Sequence, residues 1–248
     1  MRILALDTTT RAGSVALVEN DCVIEERAGD AARPHAERLP REVQALLEAR
    51  GFRSSDVDLF AVASGPGSFT GLRIGIATMQ GFAFVHRRRI VPVSALEALA
   101  WTVRGSGVGQ SPIVAAWMDA HRRDVFSALY GTGQAQSSES GDLIEMEGPQ
   151  VGDPAATLER WDRLVRGHSL TIVGDGASRW AEMILGRYAG ARIVPHPLLA
   201  GAIGRIAAAR AVAGGAIEPE AVRPLYVRRP DAVIERDRKH SPAQETRR

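Results

Sequence analysis

The sequence predicts an α/β protein in which one order of strands and helices is run twice. Two observations carry this. From the first residue, short apolar runs and amphipathic stretches follow one another as strand, strand, strand, helix, strand, helix, strand, helix. After a polar, glycine-rich stretch at residues 105–111 the same order recurs. Three leading strands joined by tight turns must be antiparallel, and later strands reached through helices must be parallel. That is the order of an RNase H-like sheet. Two such lobes in tandem make an actin-like (ASKHA) fold. The expected division is an N-terminal lobe at residues 1–104, a C-terminal lobe at residues 105–231 and a charged, disordered tail at residues 232–248.

Each element has its own signal. Arg2–Leu6 is an apolar run ending at Asp7, and Ser14–Glu19 alternates as a second strand. Asn20-Asp21 is a turn pair that leads into a third strand, Cys22–Arg27. Pro34–Arg50 places Ala36, Leu39, Val43, Leu46 and Leu47 on one helical face, with Gly51 as the stop. Pro40 inside it predicts a kink or a later helix start. Leu59–Ala63 is a buried strand, Thr70 is a cap for a helix to about His86, Ile90–Val93 is a strand and Ala95–Val103 a helix. The second set is Ile113–Met118, Val125–Tyr130, Leu143–Glu147, helix Ala155–Val165, Leu170–Val173, helix Ala177–Leu185, Ile193–Pro195 and the small-residue helix Leu199–Ala213.

Composition narrows the class. The chain has 248 residues, 45% apolar and 24% charged, with a net charge of +2. Lys239 is its only lysine, so the positive charge is arginine. One cysteine, Cys22, excludes an intramolecular disulfide and a multi-cysteine metal site, and its apolar run predicts a buried position. No window reaches 18 uninterrupted apolar residues, and no secretory leader pattern is seen. The expectation is a cytoplasmic protein that does not enter a membrane.

The most informative stretch runs from Gly65 to Gly75, as Gly-Pro-Gly-Ser-Phe-Thr-Gly-Leu-Arg-Ile-Gly. A strand, a glycine-rich turn and a helix N-terminus together form a common anion site. This run lacks the lysine of a P-loop and the spacing of a dinucleotide fingerprint. Asp7-Thr8-Thr9-Thr10 lies at the first hairpin, where actin-like ATPases embrace phosphates. The glycine expected two residues after the aspartate is Thr9 here. Asp7 therefore either holds a metal or water beside a phosphate, or simply ends a strand. Asp119 stands at the matching corner of the second lobe, and Gly174-Asp175-Gly176 either touches a nucleotide or makes a turn. No histidine pair has helical metal-ligand spacing, and Gly67-Ser68-Phe69 is not a nucleophile elbow. No catalytic residue and no metal ligand is assigned.

The helix after the glycine run carries another message. Gly71 and Gly75 leave one face without side chains, open to close approach by another backbone. Leu72, Ile76, Met79 and Ala83 form a neighbouring apolar stripe, and Phe82 and Phe84 lie off it. Apolar residues on more than one side of a helix point to a partner surface.

The glycine run, taken with Ile3-Leu4-Ala5-Leu6-Asp7-Thr8, Leu39-Pro40, Ser94-Ala95-Leu96-Glu97-Ala98-Leu99-Ala100, Asp119-Ala120, Gly174-Asp175-Gly176 and Pro224-Leu225-Tyr226-Val227-Arg228, resembles the TsaB (YeaZ) family. The resemblance covers Met1 to about Asp231. It implies a non-catalytic dimerisation subunit in the making of N6-threonylcarbamoyladenosine at position 37 of tRNAs that read codons starting with A. The paralogue TsaD transfers the threonylcarbamoyl group from its adenylate, and a small ATPase, TsaE, is also needed. In TsaD two histidines four apart bind metal, and the matching positions here are Ala95 and Leu99. Family partner contacts run through the first two helices, which makes Leu39, Val43, Leu46, Gly71, Leu72, Gly75, Ile76, Met79 and Phe82 the expected interface. The resemblance further implies tRNA contact only through the complex, a homodimer when TsaD is absent, no tightly bound cofactor, and ATP or ADP at the subunit junction touching Asp7, Thr8, Thr9, Thr10, Asp119, Gly174, Asp175 and Gly176. The alternatives are a glycoprotease-like metallopeptidase of the M22 type, which needs a metal site, and a stand-alone actin-like ATPase, which needs a glycine-bearing phosphate hairpin.

Overall fold

Alternation in the strands decides the architecture. Leu4, Leu6, Val15, Leu17, Phe60 and Val62 point to one side of a sheet, and Ile3, Ala5, Ala16, Val18, Ala61 and Ala63 to the other. Both sets are buried, so both faces must be covered by helices. In the computed structural model, which describes residues 1–103, 113–132 and 143–228, they are. The first sheet holds β1 (Arg2–Asp7), β2 (Ser14–Glu19), β3 (Cys22–Ala28), β4 (Leu59–Gly65) and β5 (Ile90–Ser94) in the order β3-β2-β1-β4-β5. β1 is antiparallel to β2, with Arg2 opposite Glu19, and parallel to β4. The second sheet holds β6 (Ile113–Asp119), β7 (Val125–Thr132), β8 (Leu143–Gly152), β9 (Leu170–Val173) and β10 (Arg192–Val194) in the corresponding order β8-β7-β6-β9-β10.

Helices α1 (His35–Glu48) and α2 (Phe69–Val85) cover the outer face of the first sheet. Helices α4 (Pro154–Val165), α5 (Asp175–Arg179) and α6 (Ala181–Arg187) cover the outer side of the second. Between the sheets lie α3 (Ala95–Thr102) and α7 (Ala200–Val212), and their placement is exchanged. α3 ends the first run of the topology yet packs on β6, β7 and β8, while α7 ends the second run and packs on all five strands of the first sheet. Small residues make this possible: a Cβ on Gly204 would lie 2.6 Å from Val18 and 3.3 Å from Ala5. The α7 N-terminus is satisfied from the first sheet. Ser14 Oγ accepts from the amides of Leu199 (3.2 Å) and Ala200 (3.0 Å), and the Glu26 carboxylate accepts from Gly201 (2.8 Å). Arg210 on α7 holds Glu97 on α3 with contacts of 2.7 and 2.6 Å.

Several local expectations change. α1 begins at His35 and runs through Pro40, whose ring is exposed, so the later start is not realised. Ser68, not Thr70, caps α2, its hydroxyl accepting from the Gly71 amide at 3.2 Å. Cys22 is exposed, because β3 is an edge strand and Cys22 opens it directly after the turn. β8 extends to Gly152, and the single helix expected at 177–185 is two, broken at Trp180. The linker at 105–111 and the tail at 232–248 lie outside the described residues.

The exchanged helices generate a prediction. A chain ending at residue 104 keeps the first sheet but loses α7, and should show no cooperative thermal transition by circular dichroism. In the full chain, Ile203→Ala should cost about 2–5 kcal/mol in denaturant unfolding, with one transition for both halves.

Candidate functional site

The two corners singled out by the sequence are well defined. At the first, Asp7 is buried at the end of β1, and its Oδ1 accepts from the Thr9 amide (2.8 Å) and the Thr9 hydroxyl (2.7 Å). Burial pushes the Asp7 carboxyl above the usual range, against the lowering effect of Thr9 and of nearby His196 and His35. Glu26 is raised as well, by burial first and by the charge of Asp7. His35 donates from Nε2 to the Thr10 carbonyl at 3.0 Å and accepts at Nδ1 from the Arg38 guanidinium at 2.8 Å, with burial lowering its pKa. Arg38, itself buried, also donates to the carbonyls of Arg11 (3.1 Å) and Ala12 (2.5 Å). The hairpin turn is thus held rigidly by its own residues and by α1.

The glycine run packs on this turn. A Cβ on Gly67 would lie 2.5 Å from Thr9 Cβ, one on Gly71 would lie 2.2 Å from the Thr8 carbonyl oxygen, and one on Gly75 would lie 2.1 Å from Thr8 Oγ1. The Ser68 amide donates to the Thr9 carbonyl at 2.9 Å. The bare helix face expected to receive a partner is therefore filled by Thr8, the residue that follows β1 of the same chain. The other expected interface residues are corrected in the same way. Leu39, Val43, Leu46, Leu72, Ile76 and Met79 are buried in the core between α1, α2 and the first sheet. Phe82 stacks on Phe60 with centroids 6.2 Å apart. Hydrophobicity marks the inner face of α1, while α2 carries apolar residues on its outer side as well. The exposed residues of α2 are Phe69, Thr70, Arg73, Ala77, Gly81, Phe84 and Val85, with Ile74 and Thr78 half-buried beside them. Phe84 is 75% exposed and Val85 72%.

At the second corner Asp119 ends β6. Its carboxylate accepts from the His121 amide (3.0 Å) and pairs with Arg179 at 2.6 Å. Asp175 Oδ1 accepts from the amides of Asp119 (2.9 Å) and Gly176 (2.8 Å). A Cβ on Gly174, at φ 133°, would lie 1.9 Å from the Trp117 carbonyl oxygen. Gly174-Asp175-Gly176 thus packs on the end of β6 and supports Asp119. The motif at residues 224–228, to which sequence reasoning assigns no role, joins the corners. The Leu225 amide donates to the Ser64 carbonyl at 2.7 Å, Tyr226 stacks on Phe69 at 5.0 Å, and three residues after Leu225 Arg228 donates to the Ala120 carbonyl at 2.6 Å and pairs with Asp124.

Several of the groups expected to meet a nucleotide are engaged within the chain. The Thr9 amide and hydroxyl are spent on Asp7, the Gly67 backbone closes against Thr9, and both aspartates of the second corner are spent on their own loop. Among the described residues no group of three His, Cys, Asp or Glu side chains could hold a metal, and Ala95 and Leu99 are buried. No helix among them is long and apolar enough to cross a membrane. A cavity of about 590 Å³, lined by Arg166, His168 and Tyr188 among others, lies apart from both corners.

Two predictions follow from the first corner. Gly75→Ala should destabilise by about 1–3 kcal/mol, since its methyl group meets Thr8 Oγ1. Adding Thr8→Ala should recover most of that loss, because the Thr8 hydroxyl is buried without a hydrogen-bond partner among the described residues. A double-mutant cycle in urea measures the coupling. The second concerns pH. A carboxyl raised in the folded state keeps its proton where the unfolded chain has lost it, so its contribution is full below the unfolded pKa and falls as pH rises through the folded value. Asp7→Asn should therefore gain on the original chain as pH climbs from the ordinary aspartate value of 3.8 towards 7. Paired melting curves over that range check it.

The fold has relatives. A family model described as TsaD, tRNA N6-adenosine threonylcarbamoyltransferase, matches residues 27–151. The tRNA threonylcarbamoyladenosine biosynthesis protein TsaB of Escherichia coli is 35% identical over 186 residues, covering 74% of this chain and 75% of its own. The crystal structure of YeaZ from Pseudomonas aeruginosa matches with TM-score 0.71 and 30% identity, covering 91% of this chain and 99% of its own. A likeness in fold alone extends to component A of the (R)-2-hydroxyglutaryl-CoA dehydratase of Acidaminococcus fermentans, at 11% identity and TM-score 0.53, over 86% of this chain and 99% of that one. The fold is thus shared with that component. With such identity over three quarters of its length, the chain belongs to the TsaB (YeaZ) family.

Proposed function

We propose that this chain is the non-catalytic dimerisation subunit of a tRNA N6-adenosine(37) threonylcarbamoyltransferase machinery. It would support a TsaD-type paralogue in moving threonylcarbamoyl from its adenylate to adenosine 37 of ANN-decoding tRNAs. The observation that carries this reading is the contrast between the two sides of the first half. Its corner is filled by its own Thr8 and Thr9, while α2 turns Ala77, Gly81, Phe84 and Val85 outward. The helix that in TsaD carries the metal histidines has buried Ala95 and Leu99 here, which supports a subunit without activity alone.

On this reading the chain forms two tandem RNase H-like lobes, residues 1–104 and 105–231, with α7 reaching back across the division. The TsaD-type partner sits on the exposed faces of α1 and α2, a homodimer uses the same faces when that partner is absent, and TsaE and tRNA join through the complex. Any ATP or ADP at the junction is held chiefly by the partner, since the hairpin aspartates here are already engaged. The setting is the cytoplasm.

Purified chain, alone and with TsaD-type and TsaE-type proteins, should be assayed for tRNA modification, peptide cleavage and ATP turnover. Modification only in the mixture is expected; peptide cleavage by the lone chain supplied with metal would sink the proposal. A substitution locates the surface. Gly81 has open space around its missing Cβ within the chain, so Gly81→Ala should raise the stability of the lone chain by up to about 1 kcal/mol. Phe84→Asp should weaken TsaD binding at least tenfold in calorimetry, with an unchanged melting temperature.

A further inference from the structure

The tip of the β6–β7 hairpin combines strain, charge and rigidity. Short hairpin turns place residues at positive φ, which suits Asn-Gly and similar pairs. The β2–β3 turn follows that rule with Asn20 (φ 49°) and Asp21 (φ 68°). The β6–β7 turn does not. His121, Arg122 and Arg123 stand at φ 58°, 52° and 69°, three successive left-handed residues whose Cβ atoms crowd the backbone. The chain accepts this conformation where simpler turn chemistry would relieve it, which points to a use for the side chains.

The tip is held in place. The Ala120 amide donates to the Asp124 carbonyl (3.1 Å), the Asp124 amide to the His121 carbonyl (2.9 Å) and the His121 amide to the Asp119 carboxylate (3.0 Å). Arg179 and Arg228, from outside the tip, neutralise Asp119 and Asp124, so Arg123 is not needed for either. His121 is 86% exposed at its side chain, and Arg122 and Arg123 are exposed.

We propose that this tip is a contact for the phosphodiester backbone of RNA, with Arg123 as its principal phosphate ligand and His121 and Arg122 flanking it. Guanidinium groups match phosphate oxygens in a planar, two-toothed fashion. A pre-fixed turn loses little freedom on binding. Backbone contacts of this kind position a nucleic acid and carry no sequence information, which suits a subunit that does no chemistry. The proposal rests on the reading of the chain as part of a tRNA-modifying complex.

The test uses the full chain assembled with its TsaD-type paralogue and unmodified tRNA, in filter binding over a series of salt concentrations. Replacing Arg122 by Asn and Arg123 by Gly together should raise the melting temperature by about 2–4 °C, since the turn is relieved. The same variant should bind tRNA about tenfold more weakly at 0.1 M salt, with a log K against log salt slope shallower by about 1. Arg123→Gln alone should give the weaker binding without the thermal gain. An unchanged affinity and slope in both variants, while the original complex still modifies tRNA, would overturn the tip assignment and leave the functional reading standing. Loss of the paralogue rather than of tRNA would instead make the occupant an acidic protein surface, and also overturn it. An original complex that neither binds nor modifies tRNA removes the functional reading, and the tip proposal with it.

Discussion

The approach of Thr8 to the backbone of α2 is the contact on which much of the first half depends. A strand end and a helix come so close that Gly71 and Gly75 have no room for a methyl group. Once α2 is drawn in, its Leu72, Ile76 and Met79 side must enter the core and its Ala77, Gly81 and Phe84 side must face out. The same approach brings Gly67 and Ser68 onto Thr9, which closes the hairpin turn. A single close packing thus fills the corner and orients a helix surface for other use.

Polar groups fasten the two halves of the molecule at both ends of the layer between the sheets. At one end Ser14 and Glu26 satisfy the first amides of α7, beside buried Asp7. At the other Arg210 grips Glu97 and the Pro92 carbonyl. Between them the contacts are apolar and small, mostly alanine, glycine and short branched side chains. Apolar packing sets the spacing of the layers, and the polar ends set their register, because an amide without its acceptor is costly in a buried place.

The strand order was legible because it depends on local patterns: apolar alternation, tight turns and helical periodicity. Which side of α2 faces inward was not. The bare Gly71 and Gly75 face read as vacant, although its occupant, Thr8, lies more than sixty residues earlier and leaves no mark in the local pattern. The stripe of Leu39, Val43 and Leu46 was likewise a correct periodicity assigned to the wrong neighbour. Cys22 was misplaced because an edge strand exposes residues that a central strand would bury. Arg228 was noticed as part of a motif, and its role as a bridge to Ala120 and Asp124 needed three dimensions. At the second corner the strained turn carried a readable signal, since three bulky residues stand where a hairpin favours asparagine and glycine.

The exchange of α3 and α7 has a consequence for synthesis. A chain emerging from the ribosome presents β1 to β5 early, yet the helix that covers the inner face of that sheet ends only at Val212. Until then, Ile3, Ala16, Val18, Ala61 and Ala63 lack the neighbours that bury them. At about 5–20 residues per second, the interval between β5 and the end of α7 lasts roughly 6–25 seconds. The first half therefore waits, half-dressed, for the last helix of the second. Vectorial folding, in which an N-terminal unit closes before its successor arrives, is thus closed to this topology, and apolar surface of the first sheet stays uncovered until α7 has been made.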